Sequence, residues 1–570
     1  MRTPAILKSP VTALPRRAPR LRWPRRNSGP FLLEPALPIA FALVAITAFA
    51  ALWARRWHVP HSILLVLLGL TLSFLPWTPR LELDPGLVLT LFLPPLLYNA
   101  GVGMSWRGFK ANLRPILLLA VGAVIFTAAC VAALTHFLFG LPWAVGFVLG
   151  AVVSPPDAVA PMAIARRFPI PERILTILEG EGLVNDATAL ILFSFAVAAV
   201  TGGKAFSLGE ASLTFAAIVA GEILWGLFIG WGGLILRRWA KETRVEIVFA
   251  LLTPFAAFWV PESLGGSGVL AAVVSGLYVS WNGPRFISPA TRLQGFFVWD
   301  LATYLIEGVI FLLTGLQARV VAEELDMGEW ARLAFTAGTV CAAVILVRFA
   351  WVFAATYLPR LLWPPLARKS PPPPWRWTFV IGFTGIRGVV SLAAALSIPF
   401  FAGNAPFPER GLLLMVTFAV ILVTLVGQGL TLPLVIEKFC LTADGKREGD
   451  ESKRREISAR LASINTALAR LDSLEGAVSS PDTVAALRRR HEDRRAYFVA
   501  ACRDIDAGAT AGASSNLQLQ FVEAERSSIA EIYARGDIDD DARRRIEREL
   551  DLEDSRLRHA AASGAAARVI

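Results

Sequence analysis

Two short stretches place ionisable groups where the surrounding chain is apolar. One is EGEGLVND, Glu179 to Asp186, which continues into ATALILFSFAVAAV; the other is SPPDAVAP, Ser154 to Pro161. Carboxylates inside a membrane-length apolar segment are costly and default to function. Pro155 and Pro156 lack the N–H that a continuing helix needs. The chain should therefore unwind just before Asp157 and free backbone carbonyls, such as that of Pro156. Irregular backbone at that depth survives only where it lines a cavity or binds something. Asp157 among freed carbonyls is an all-oxygen setting of the kind hard cations prefer. The structural alternative is a proline kink with Asp157 reaching toward water.

In EGEGLVND, Asp186 lies deepest along its helix. Glu181 and Asn185 are i, i+4, as are Gly182 and Asp186, and Glu179 and Asp186 lie on roughly one face. Gly182 leaves room for close approach of a backbone or ligand. Asp186 is then a carboxylate over a small gap, flanked by the Asn185 amide. A buried carboxylate of this kind holds a proton or a cation, not both. Exchange of the two follows if the site faces alternate sides; the structural alternative is a salt bridge.

A third stretch, GIRGVVSL (Gly385–Leu392), places Arg387 between glycines in an apolar span. Arginine does not deprotonate in proteins, so it needs an anionic partner. Glu181 is the candidate, and direct neutralisation of Asp157 or Asp186 is the alternative. Glu222, Glu307 and Arg348 are single charges within spans, read as bundle-interior pairs rather than transport groups. No HExxH or P-loop GxxxxGK[ST] occurs, which argues against a zinc hydrolase or an ATP-driven pump. The cysteines Cys130, Cys341, Cys440 and Cys502 are scattered without CxxC spacing, so neither a disulfide framework nor a metal centre is indicated, and no cofactor is expected.

These residues sit in an all-α polytopic membrane protein. Hydrophobic residues make up 55% of the 570, charged residues only 18%, against roughly a quarter charged in soluble domains, and mean hydropathy is +0.54. Apolar runs imply about thirteen spans, at 32–54, 60–76, 85–101, 113–138, 142–165, 172–201, 208–236, 246–261, 266–281, 295–318, 331–358, 375–401 and 411–437. Loops after odd-numbered spans hold most loop cations, among them Arg166, Arg167, Arg237, Arg238, Lys241 and Arg368. The positive-inside rule places those loops in the cytoplasm and the N-terminus outside. The basic, Pro-rich arm at 1–30, read as disordered, opposes that orientation, and a twelve-span arrangement is the alternative. The net charge of +11 follows this loop pattern, so nucleic acid is not an expected partner. Spans 5 and 12 are both interrupted, seven apart, which points to inverted repeats. The membrane domain is 31–440. The remainder, 441–570, is charged and helical; Ile457, Leu461, Ile464, Leu468 and Leu471 form a narrow seam, and Ser480–Pro481 reads as a helix start.

With these motifs in view, the chain resembles sodium/proton antiporters of the cation:proton antiporter superfamily, in the branch of NhaP-type proteins and sodium/hydrogen exchangers. LFLPPLLYNAG (Leu91–Gly101), SPPDAVAP, EGEGLVNDATALILF, FLLTGLQ (Phe311–Gln317), GIRGVVSLA and GQGLTLPLVI (Gly427–Ile436) are similar to family motifs in the same order. The resemblance implies crossed broken helices 5 and 12 and a homodimer in the cell (inner) membrane, and the loop charges place the C-terminal domain in the cytoplasm. It implies alternating-access exchange of Na+, Li+ or K+ for H+, electroneutral and one for one. Asp186 would be the main ion- and proton-binding group, Asp157 the second, and Asn185 the marker of the electroneutral branch; Glu181 and Arg387 would form a supporting ion pair. Pro156 and Ala158 replace the family's threonine and proline, Gly182 a serine, and Asn99 a glutamate, which leaves ion choice open. A channel, or a membrane sensor signalling through the tail, is the runner-up.

Overall fold

The computed structural model describes residues 36–57, 59–81, 83–202, 208–324, 330–474, 481–506, 512–535 and 540–565. The basic arm at 1–30 and Ser480 lie outside them. Backbone polar groups in lipid must be satisfied within the segment, and the apolar stretches accordingly form helices. These are α1 (Ala36–Trp57), α2 (His61–Ser73), α3 (Pro85–Gly103), α4 (Leu113–Phe139), α5a (Trp143–Val153), α5b (Val159–Ala165) and α6 (Glu172–Val200). Then follow α7 (Leu208–Ala240), α8 (Thr243–Ser263), α9 (Val269–Phe286), α10 (Pro289–Leu316), α11 (Trp330–Leu362), α12a (Trp375–Phe383), α12b (Val389–Leu396) and α13 (Arg410–Lys438). Among the described residues eight helices are long and apolar enough to cross a membrane, with shorter apolar helices at Pro38–Ala54, His61–Ser73 and Trp143–Val153.

Helices α5 and α12 are interrupted, as the Pro and Gly runs predict. Elsewhere the chain bends without stopping. One wide turn (Val88–Phe92) precedes Pro94 in α3, and another (Val423–Gln428) precedes Pro433 in α13, where a missing proline N–H frees an upstream carbonyl. Helix α2 packs on α10, and α9 is held between α3 and α7. The lone acid Glu222 on α7 is buried in this second group. Its carboxylate accepts from the N–H groups of Ser267 (2.7 Å), Gly268 (3.0 Å) and Leu270 (3.0 Å). It thus supplies the orphan donors that begin α9 with a favourable negative charge. Arg237, read from sequence as a loop residue, is instead buried in the end of α7 and donates to the Tyr98 hydroxyl at 2.7 Å. A nearby acceptor keeps its long side chain inside.

Beyond Cys440 the chain is amphipathic helix: α14 (Leu441–Leu474), α15 (Pro481–Asp506), α16 (Gly512–Ala534) and α17 (Asp540–Ala565). They form two antiparallel pairs. Arg488 meets Asp472 and Arg460 covers Phe498 in the first; Arg526 meets Asp551 in the second, over Val522, Leu550 and Leu557. Of the expected seam, Ile457 and Ile464 are buried.

The start of α14 docks on the membrane helices. Leu441 is fully buried, Asp444 accepts from the Trp377 indole at 3.1 Å, and Glu448 accepts from the Glu172 backbone N–H that opens α6. Burial raises the Glu448 carboxyl above its ordinary range, the Glu172 N–H pulls it down, and the Glu172 charge adds to the rise. Docking therefore takes up protons: its penalty is full where Glu448 stays ionised and disappears as pH falls through the docked value. Spin labels at Ser452 and Lys110 should report a larger docked fraction as pH is lowered. Glu448→Gln keeps an oxygen for the Glu172 N–H and should hold the docked distance at every pH.

Candidate ion-binding site

The two breaks meet. Between α5a and α5b, Ser154 to Ala158 leave the helix; between α12a and α12b, Thr384 to Gly388 do. The Asp157 N–H donates to the Ile386 carbonyl at 2.7 Å, one strand-like bond joining the breaks. The Asp157 carboxylate turns toward α5b and accepts from the N–H groups of Val159 and Ala160, both at 3.2 Å. It caps that half-helix, negative charge against positive dipole end. Arg387 does the converse. Its guanidinium donates to the carbonyls of Val153 (2.9 Å) and Ser154 (3.4 Å), which end α5a, and to that of Gly385, while its backbone N–H donates to Thr424 Oγ1 at 3.0 Å.

Helix α6 closes the site. Gly182 lies against the Ala158 side chain, so the space a Cβ would need is taken by the α5 break and not by a ligand. Asn185 donates from Nδ2 to the Pro156 carbonyl at 2.5 Å. That bond fixes which way the amide points and leaves Asn185 Oδ1 buried without a hydrogen-bond partner. Next to it, Asp186 is 9% exposed. No described residue hydrogen-bonds or ion-pairs with its carboxylate, and its charge interacts with that of Asp157. Asp157 itself is partly accessible. Two carboxylates, an orphan amide oxygen and the second lone pair of the Pro156 carbonyl therefore share one region at the crossing. Among the described residues no three His, Cys, Asp or Glu side chains cluster, so a cation here would rely on neutral oxygens as well as carboxylates.

The expected Glu181–Arg387 pair is not what forms. Glu181 makes a bidentate bridge to Arg348 on α11, at 2.6 and 3.0 Å, both residues almost fully buried. Arg348 also donates to the Ile381 carbonyl at 3.1 Å, in the last turn of α12a. The reason is local: unwinding frees carbonyls around Arg387, and these absorb its donors before a carboxylate is needed. Glu179 is not brought to the crossing; it pairs with the exposed Arg166 at 2.5 Å. Asn99 is partly buried on α3, and its side chain makes no hydrogen bond with a described residue. Glu307 forms no ion pair among the described residues, although its charge reaches Asp157.

Facing helix breaks, one carrying Asp157 and the other Arg387, with the buried Asp186 of α6 beside them in a polytopic helical bundle, are the arrangement of a membrane transporter of the secondary class. Comparison with known proteins narrows this. The family model for the transmembrane region of sodium/hydrogen exchangers matches residues 39–438. An uncharacterised Na+/H+ exchanger of Mycobacterium tuberculosis is 34% identical over 545 residues, covering 94% of this chain and 98% of that one. A protein of Bacillus subtilis named as a sodium, potassium, lithium and rubidium/H+ antiporter is 30% identical over 497 residues, covering 84% of this chain and 72% of that one. The solved sodium proton antiporter MjNhaP1 of Methanocaldococcus jannaschii shares the fold, with TM-score 0.56 and 18% identity, over 71% of this chain and 98% of that one. The chain belongs to the sodium/hydrogen exchanger family, and so is a multi-pass membrane transporter of cations and protons and not an enzyme.

Proposed function

We propose that this chain exchanges Na+, or Li+ or K+, for H+ by alternating access, one for one and without net charge movement. The observation that carries the reading is Asp186: a buried carboxylate with no donor among the described residues, beside Asp157 and the unpartnered Asn185 Oδ1. An acid committed to a salt bridge cannot release its charge; one without a fixed partner must find a proton or a cation. Asp157 tunes the site, the Pro156 carbonyl and Asn185 Oδ1 complete an oxygen shell, and the Glu181–Arg348 bridge holds α6 to α11 and α12a. Loss of the hydroxyl and glutamate ligands at positions 156, 182 and 99 favours tolerance among monovalent cations, and the relative named for four such ions is in keeping with it.

The transport unit spans residues 31–440 with thirteen crossings, α5 and α12 being equivalent members of inverted repeats. The loops rich in Arg, and with them residues 441–570, face the cytoplasm of an inner-membrane homodimer. In proteoliposomes, addition of Na+, Li+ or K+ should collapse an imposed pH gradient, and the rate should be unchanged by an imposed membrane potential. Flux that follows the potential without counter-moving protons would instead identify a channel.

Gly388→Ala tests the crossing. A Cβ there would stand 2.6 Å from Asp157 Cβ and 2.7 Å from its Cγ, so the carboxylate must move off its cap. The variant should need more cation for half-maximal gradient collapse, by about tenfold for a loss of ~1.4 kcal/mol at the site.

A further inference from the structure

A cavity of about 230 Å³ lies away from the helix crossing, at the tail-bearing end of the bundle. Its inner wall is apolar, built from Leu118 and Leu119 of α4, Ile174 and Ile177 of α6, and Val352 of α11. Three guanidinium groups line it as well, those of Arg114, Arg173 and Arg360, and no acidic residue does. The charges of Arg114 and Arg173 both act on Arg360. Their hydrogen-bond partners among the described residues are all neutral. Arg173 donates to Asn112 Oδ1 at 3.2 Å, and Arg360 to the Ser370 carbonyl at 3.0 Å and the Thr356 carbonyl. The Arg114 guanidinium makes no hydrogen bond or ion pair with any described residue.

Three like charges held together at the edge of a membrane protein, without a counter-charge, are unfavourable unless an anion completes them. Arginine forks match phosphoryl oxygens, and basic pockets between membrane helices on the cytoplasmic side suit phosphate head groups. The apolar wall requires more than a bare anion. We propose that this cavity binds an amphiphile with a net negative phosphate head group, its phosphoryl group on Arg114, Arg173 and Arg360 and its methylenes against the α4–α6–α11 wall; a zwitterionic head group brings its own ammonium, which the three guanidinium groups repel. The cavity also touches the tail. Trp377 lines it and donates to Asp444 of α14. Helix α6 runs from its wall to Asp186, and α12a leads from it into the break that holds Arg387. An occupant would therefore brace the tail dock and both transport helices together.

The test uses the full chain in a neutral detergent and reads the thermal unfolding midpoint, not exchange. Phosphatidylglycerol, phosphatidylcholine with the same acyl chains, and inorganic phosphate are titrated in separate arms. Phosphatidylglycerol should raise the midpoint saturably and phosphatidylcholine should not. Arg114→Gln removes no protein hydrogen bond and so keeps the fold; it should weaken half-saturation about tenfold, the worth of one charge-assisted bond. Arg360→Gln should do the same, with the phosphatidylglycerol molecules retained in native mass spectra as the readout if its midpoint shifts by itself. An equal rise with inorganic phosphate would overturn the amphiphile. An equal rise with phosphatidylcholine, no rise with any ligand, or unchanged half-saturation in Arg114→Gln would overturn the site.

Discussion

Asp186→Asn should bring cation-dependent proton flux in proteoliposomes to the level of protein-free vesicles while the protein inserts and unfolds as before. Asparagine matches aspartate in volume, so packing against α5 is kept. What it lacks is the exchangeable proton and the charge that draws a cation from water. The structure makes the prediction sharp, because Asp186 has no donor among the described residues and so contributes nothing to the scaffold that asparagine would break. Its thermal midpoint should stay level or rise, since a neutral amide is less costly to bury than a carboxylate. Asp157→Asn should behave differently. Asp157 caps α5b through two backbone N–H bonds, and asparagine is itself a good cap, so flux should fall without vanishing. Undiminished flux in Asp186→Asn would remove the basis of the exchange mechanism. Equal losses in both variants would make the pair, and not Asp186, the exchanging unit.

The features legible in the sequence were those encoded within one helix. Pro155 and Pro156 announce the α5 break because a missing N–H acts on the same segment. The Gly385–Gly388 run does so for α12, and the neighbourhood of Asn185 and Asp186 is fixed by adjacency. Partnerships between helices were not legible. Glu181 and Arg348 are 167 positions apart, and nothing in the spacing separates Arg348 from Arg387 as a partner. One signal did exist: Arg387 lies where unwinding was already expected, and freed carbonyls are acceptors for a guanidinium. The same blindness hid the role of Glu222, whose donors lie 45 to 48 positions away. It also hid the burial of Arg237, whose acceptor is on α3. Amphipathic spacing identified α14 as helix but could not say that its first turn would sit on α6.

Loss of one partner of the Glu181–Arg348 bridge should damage the fold severely. Both side chains are almost fully buried, and removing one leaves the other charged with no water to turn to. Arg348→Ala should therefore cost about 3–5 kcal/mol, read as a lower midpoint in thermal or denaturant unfolding. Replacing both partners at once, Glu181→Gln with Arg348→Met, removes the stranded charge and should recover most of that loss, as neutral replacements of buried pairs often do. Arg387→Ala provides the contrast. Its guanidinium bonds only carbonyls and strands no carboxylate, so the cost is that of acceptors left to any water that reaches the break, and neutralising Glu181 does nothing to reduce it. The expected order is Arg348→Ala worse than the double variant, with Glu181→Gln rescuing Arg348→Met but not Arg387→Ala. Were Glu181 held by Arg387 instead, the rescue would pass to Arg387→Ala and the order would invert. The bridge thus tests which element α6 is fastened to: α11, or the break of α12 itself.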